Sequence, residues 1–134
     1  MINITKEYHF YAAHRNPKAG DKCGRIHGHT YDLSVIMEFD TDDSISMLFS
    51  DIDEVINPIV KRHDHYFLVW DQDPLCEMLE AIREPYYSLP FETSAENLCR
   101  YFYEEISIVI PEVKRVELKE TKSSKVSYEK TSSI

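Results

Sequence analysis

Basic charge, cysteine and long apolar runs are all scarce in this chain. Of its 134 residues, 15 are Lys or Arg and 24 are Asp or Glu, a formal net charge of −9. A nucleic-acid binder neutralises phosphates with a basic footprint, so this balance argues against one. A small anionic substrate needs only a local cluster of Lys and Arg and stays open. The three cysteines, Cys23, Cys76 and Cys99, are too few and odd in number for a disulfide framework, which points to a reduced, cytoplasmic setting. No run approaches the roughly 18 apolar residues of a membrane span. The opening MINITKEYHF lacks a basic stretch followed by an apolar one, so no secretory signal is expected. Internal repeats and low-complexity segments are absent, apart from a Ser/Lys/Thr-rich C-terminal stretch.

What remains is globular. The apolar fraction is 43% with 12% aromatics, and the length suits one domain, 1–134, able to bury a core. Residues 2–12 and 26–39 read as strands separated by a breaker-rich loop with Asn16, Pro17, Gly20 and Gly24. After an acidic turn, residues 45–49 are expected to finish a hairpin. Ile52, Val55, Ile56, Ile59 and Val60 mark an amphipathic helix with Asp51 as N-cap and Pro58 as an interruption, ending near Arg62 or His63. A short helix over 74–83 and a short strand over 86–91 follow. Thr93 or Ser94 caps a second clear helix carrying Leu98, Cys99, Phe102, Ile106 and Val109, stopped by Pro111. Residues 113–119 and 125–130 alternate as a closing hairpin. The fold class is therefore α+β.

The richest segment is Cys23-Gly-Arg-Ile-His27-Gly-His29. Alternation in a strand places His27 and His29 on one face, where two imidazoles can share a metal. His14, just after the first strand, is the natural third ligand, because that strand should pair with the second. The competing reading is a chance pair on a surface strand. Cys23, flanked by Lys22 and Gly24-Arg25, could be a fourth ligand, an acid/base thiol or an inert loop cysteine. In His63-Asp64-His65, a carboxylate beside an imidazole can fix its tautomer and raise its basicity, although a solvated helix end would look the same. Glu120 closes a strand, where a lone Glu is usually solvated.

Taken in order, Phe10-Tyr-Ala-Ala-His14-Arg, Lys22-Cys-Gly-Arg-Ile-His-Gly-His29, Asp64-His65-x-x-Leu68, Ala95-Glu-Asn-Leu98 and Lys119-Glu-Thr121 resemble the 6-pyruvoyltetrahydropterin synthase / 6-carboxytetrahydropterin synthase family. The Lys-Cys-Gly-Arg-x-His-Gly-His form is most similar to the queuosine-pathway 6-carboxytetrahydropterin synthases. The resemblance implies the tunnelling fold, in which a four-stranded antiparallel sheet with two helices on one face trimerises into a barrel and trimers stack into a homohexamer. It implies that His14, His27 and His29 hold Zn2+, that Cys23 is the proton-abstracting thiolate, and that Asp64 and His65 form a relay reaching the site from a neighbouring subunit. Glu120 would grip the amino edge of the pterin, with Ser94 in the place of a family threonine and Arg25, Lys18 and Lys22 near the triphosphate. The implied substrate is 7,8-dihydroneopterin triphosphate. The chain departs from the family pattern at His63, at Val69, at Thr93-Ser94 and in a longer stretch over 70–89.

Four activities fit these residues to different degrees. One is a 6-carboxytetrahydropterin synthase releasing acetaldehyde and triphosphate. The second is a 6-pyruvoyltetrahydropterin synthase, which stops after triphosphate elimination. A silent zinc- or pterin-binding relative would be expected to lack Cys23, His65 or Glu120. An unrelated zinc hydrolase would not need Cys23.

Overall fold

The computed structural model describes residues 1–130. Its centre is one long antiparallel pair. β1 (Ile2–His14) pairs with β2 (His27–Phe39) in unbroken register from Ile2↔Phe39 to His14↔His27. The first strand runs two residues beyond the sequence expectation, so His14 ends the strand instead of following it. The chain then enters α1 (Phe49–Lys61), β3 (Tyr66–Trp70), α2 (Leu75–Ala81), β4 (Tyr86–Leu89), α3 (Ala95–Val109), β5 (Val113–Thr121) and β6 (Ser124–Glu129).

The sheet has six strands in the order β4-β3-β1-β2-β5-β6. Four of them, β1, β2, β5 and β6, form the contiguous antiparallel part. β3 and β4 add a parallel flank, so the four-stranded sheet implied by the resemblance is extended by two. Residues 45–49 do not finish a hairpin. They turn directly into α1, which starts at Phe49 with Leu48 as its N-cap, placing Asp51 inside the first turn. Pro58 is carried within α1, which continues to Lys61. Of the two candidate caps for α3, Ser94 fills the role: its hydroxyl accepts from the Asn97 N–H at 3.2 Å.

One face of the sheet packs against α1 and α3. Phe10, Tyr31, Leu33, Val35, Val116 and Leu118 from the strands meet Ile52, Ile56, Leu98, Phe102 and Ile106 from the helices. Alternation along β3 and β4 sends Leu68, Tyr87 and Leu89 to this core, but Phe67, Val69 and Tyr86 to the other face. There α2 covers them with Leu75 and Leu79. The third helix thus lies across the sheet from the other two. Among the described residues, no helix is long and apolar enough to cross a membrane.

Candidate functional site

The β1–β2 register builds the site. Because His14 faces His27 and Ala12 faces His29, the three imidazoles share the core-side face at the open end of the pair. One ring nitrogen from each of the three lies within 4.8 Å of those of the other two. His14 is fully buried, and His27 and His29 are half-buried. Gly28 lies between them in sequence and faces the other side of the sheet, where a Cβ would stand in ordinary contact with the Ala12 carbonyl at 3.5 Å.

Backbone carbonyls assign the tautomers. His14 Nδ1 donates to the Thr93 carbonyl at 2.7 Å, and His27 Nδ1 donates to the Arg25 carbonyl at 2.7 Å. Each Nε2 then carries a bare lone pair, yet the two Nε2 atoms stand 3.1 Å apart. His29 Nε2 is buried with no hydrogen-bond partner. Converging lone pairs with no proton between them call for a cation, and neutral imidazoles oriented by carbonyls are the ligands zinc prefers. The donor set therefore fits the metal that the sequence suggested. Burial, reinforced by the neighbouring imidazoles, holds His14 down at about 4, and burial likewise lowers His29.

Glu120 joins this cluster from the end of β5. Its carboxylate oxygens lie 3.6 Å from His29 Nε2 and 3.9 Å from His14 Nε2. Burial raises its pKa above the usual carboxylate value, with His27 opposing and Glu96 adding to the rise. Its Oε1 is buried with no hydrogen-bond donor, an unpartnered acceptor beside the three imidazoles. A solvated surface glutamate this is not.

Asp64 and His65 form the second pair. His65 Nδ1 is 2.9 Å from Asp64 Oδ2, and Asp64 Oδ1 accepts from the Tyr11 N–H at 2.9 Å. That backbone bond is the main cause holding the Asp64 carboxyl below its usual range. His65 adopts a left-handed backbone, φ 65°, and its own N–H donates to the Tyr11 carbonyl at 2.6 Å. Its exposed ring packs against Tyr11, 5.4 Å between centroids. Tyr11 lies on the sheet face opposite the triad, in a cleft of about 450 Å³ whose lining includes His65, Phe67, Glu84, Gly28 and His29. Strand alternation thus puts Tyr11, with His65 packed against it, on the face opposite the one the three imidazoles share.

Cys23 sits exposed in a short 3-10 turn, Asp21–Gly24, and is not among the residues converging with the three histidines. Its place as a fourth ligand is thus unsupported, while its place on the loop beside the triad is kept. The Arg25 side chain is exposed, and this residue's clear contribution is the carbonyl that orients His27. Ser94 spends its hydroxyl on the α3 cap. Lys18 and Lys22 are exposed on the loop.

Two residues with a hand in the site escaped the sequence. Thr93, buried, supplies the carbonyl that orients His14, and its hydroxyl lies 3.3 Å from the same nitrogen. Its position beside the helix cap was the one available signal. Tyr11 holds Asp64 and His65 through its backbone, which no side-chain pattern reveals. His63 proves to be a core residue instead of a solvated helix end: it is fully buried, bonded to the Ile59 carbonyl and the Tyr101 hydroxyl.

Comparison with known proteins agrees with this geometry. The chain is 28% identical over 155 aligned positions to the 6-carboxy-5,6,7,8-tetrahydropterin synthase of Aquifex aeolicus, covering 93% of this chain and 96% of that one. It is 26% identical over 116 positions to the enzyme of the same name from Haemophilus influenzae, covering 79% and 82%. An uncharacterized protein from Wolinella succinogenes superposes with a TM-score of 0.81 at 20% identity, covering 97% and 98% of the two chains. The 6-pyruvoyl tetrahydropterin synthase of Caenorhabditis elegans superposes with a TM-score of 0.72 at 19% identity, covering 97% and 96%. These superpositions establish the fold. The family model for 6-pyruvoyl tetrahydropterin synthase matches residues 3–131, and over nearly its whole length the chain belongs to that family.

Proposed function

We propose that the chain is a single-domain, zinc-dependent 6-carboxy-5,6,7,8-tetrahydropterin synthase of the queuosine pathway. With one water consumed, it would convert 7,8-dihydroneopterin triphosphate to 6-carboxytetrahydropterin, acetaldehyde and triphosphate, the water supplying the second carboxylate oxygen as the side-chain carbon–carbon bond breaks. The observation that carries this reading is the convergence of three carbonyl-oriented imidazoles with the unpartnered Glu120 carboxylate. A cation site beside an acceptor for an amino edge suits a substrate with both vicinal hydroxyls and a pterin ring. The names of the Aquifex and Haemophilus relatives support the carboxy product, and the Lys22-Cys23-Gly24-Arg25 segment agrees with them.

Zinc held by His14, His27 and His29 would supply Lewis acidity toward the substrate's side-chain oxygens. The protein's residues would do the rest. Glu120 orients the pterin by accepting two N–H bonds from its amino edge, a charge-assisted bidentate contact. The Cys23 thiolate takes a proton from a side-chain carbon. His65, its tautomer set by Asp64, handles the second proton transfer between side chain and ring. Lys18, Lys22 and Arg25 lie on the loop that would meet the triphosphate. Ser94 serves the substrate only through the α3 N-terminus that it caps.

His65 packs against Tyr11 on the face opposite its own triad, which supports a reading in which a second copy completes the site. The sheet edges support this. β1 pairs with β3 only at Ala12 and Ala13, so its N-terminal stretch presents a free edge, and β6 presents another. In the order β1-β2-β5-β6 the directions alternate, so β6 of one copy can pair antiparallel with β1 of the next. Repeated, that heterologous contact closes a barrel. We place two such trimers in a cytoplasmic homohexamer; three free cysteines agree with a reducing compartment.

The test is product identification. Zinc-loaded protein incubated with 7,8-dihydroneopterin triphosphate should yield 6-carboxytetrahydropterin and acetaldehyde by mass spectrometry, and a Cys23→Ala variant should not. A pyruvoyl product would move the chain to the elimination-only activity. No pterin turnover would refute the proposal.

A further inference from the structure

The loop between β1 and β2 carries Cys23, yet its two 3-10 turns, Pro17–Ala19 and Asp21–Gly24, contain no buried residue. Apolar packing therefore does not fix it. Its base is closed by a backbone bond from Asn16 N–H to the Cys23 carbonyl at 2.8 Å. Its side-chain ties run to the added β3–α2–β4 flank. Arg15, on the sheet face that α2 covers, makes a bidentate pair with Asp73, with Nε at 2.9 Å from Oδ2 and a terminal nitrogen on Oδ1. Lys18 Nζ stands 4.9 Å over the Trp70 ring.

Asp73 is built for this. It is only 4% exposed, and its Oδ1 also accepts the Leu75 N–H at 2.9 Å, anchoring the carboxylate to the start of α2. Its own N–H donates to the Trp70 carbonyl at 2.9 Å. A carboxylate held by its own helix and a forked guanidinium leaves little freedom at either end. The two contacts enter the loop at Arg15, directly after the ligand His14, and at Lys18, on the way to Cys23.

We propose that Asp73 is a positioning residue: through the Arg15–Asp73 pair, helped by Lys18 over Trp70, the β3–α2–β4 flank holds the Cys23 loop in its working position. The proposal rests on the reading of Cys23 as the catalytic thiol. The flank then does more than lengthen the sheet. It replaces the missing core contacts of the loop with charge-assisted ones, and a substitution on α2's side of the sheet is felt at the thiol. Displacements of about 1 Å at a reacting group can cost up to ~100-fold in rate, so the tether is expected to show in kcat.

The experiment compares wild type, Asp73→Asn and Lys18→Met by amide hydrogen exchange, zinc content and steady-state kinetics. Asp73→Asn keeps the shape of the side chain and removes its charge. The amides of Asn16, Gly24 and Arg25 should exchange about tenfold faster, while amides in the β1–β2 ladder are unchanged. The zinc content should be retained, and kcat should fall on the order of 10-fold or more, by a larger factor than KM rises. Lys18→Met, at an exposed position, should show the same faster loop exchange at smaller amplitude; because Lys18 also lies on the loop that would meet the triphosphate, its exchange and not its kinetics decides the question should Asp73→Asn fail to fold. Unchanged loop exchange overturns the proposal, and so does unchanged kcat. An active Cys23→Ser variant instead removes the thiol reading beneath it, and exchange alone then decides the tether.

Discussion

Replacing His63 separates structure from chemistry at the Asp64–His65 turn. The ring is fully buried between α1, β4 and α3, with centroids 4.6 Å from Tyr87 and 5.1 Å from Phe102. Nδ1 donates at 2.7 Å to the Ile59 carbonyl, one of the last-turn carbonyls that α1 leaves without a helical partner, and Nε2 accepts from the Tyr101 hydroxyl at 2.8 Å. His63→Ala removes the ring and orphans both groups. The orphaned partners cost about 1–2 kcal/mol each and the lost packing about 2 kcal/mol, for a total on the order of 5 kcal/mol. In a chain of this size that lowers Tm by roughly 15–20 °C. His63→Leu refills the volume but still orphans the two partners, and should cost about 2–4 kcal/mol. Neither variant should alter kcat at a temperature where it is folded, because the ring faces the core and His65 faces the opposite cleft.

The pH dependence carries a sign. Burial is the largest cause lowering the His63 pKa; Arg62 adds to it, and the Ile59 carbonyl and Glu105 oppose it. The unfolded chain then binds its proton near the ordinary value of about 6.5, while the folded form binds it only at lower pH. The contribution is complete above about pH 6.5 and is lost as pH falls toward the folded-state value. Circular-dichroism melts at pH 7.5 and 5.5 should show the His63→Leu variant losing less Tm on acidification than wild type. A Leu variant with wild-type acid sensitivity, or one folded but tenfold slower, would refute this account of His63.

Further outcomes follow from the site. Elemental analysis should find about one zinc per chain, absent from a His27→Ala/His29→Ala double variant; metal retained there would contradict the triad. Burial keeps His14 near 4 and lowers His29, so zinc should be released on acidification only below the ordinary histidine value of about 6.5. A release midpoint at 6.5 or above would show that burial does not govern these ligands. Glu120→Gln should cut kcat/KM by about 30- to 100-fold, worth ~2–3 kcal/mol of charge-assisted bonding, while zinc content is unchanged. An equally active Gln variant would remove Glu120 from the pterin contact.

The sequence displayed much of this arrangement because its key elements rest on local rules. His27 and His29 share a face by strand alternation alone, and His14 follows once the two strands pair. The apolar stripes of α1 and α3 and the β5–β6 alternation are equally local. β3 was missed because its strand character comes from parallel pairing with β1 and β4, contacts that a five-residue run such as Tyr66–Trp70 does not announce. α1 starts at Phe49 behind Leu48, an N-cap without a side-chain bond, and Asp51 falls in the first turn, where its charge suits the helix dipole; a cap that uses no side chain leaves no mark in the sequence. Burial of His63 depends on Tyr87 and Tyr101 arriving from β4 and α3. The Thr93 carbonyl is a backbone group, and side-chain patterns do not show which carbonyl will face a given imidazole.

The central claim is that one copy supplies the triad, Cys23 and Glu120 while another supplies Asp64 and His65. Subunit mixing tests it most directly. Cys23→Ala and His65→Ala variants, each inactive alone, are co-denatured, refolded together and assayed for 6-carboxytetrahydropterin. The account predicts that the mixed oligomers recover activity, since some sites combine an intact Cys23 with an intact His65. A mixture that refolds to the wild-type assembly and binds zinc yet stays inactive, beside an active refolded wild type, would contradict it.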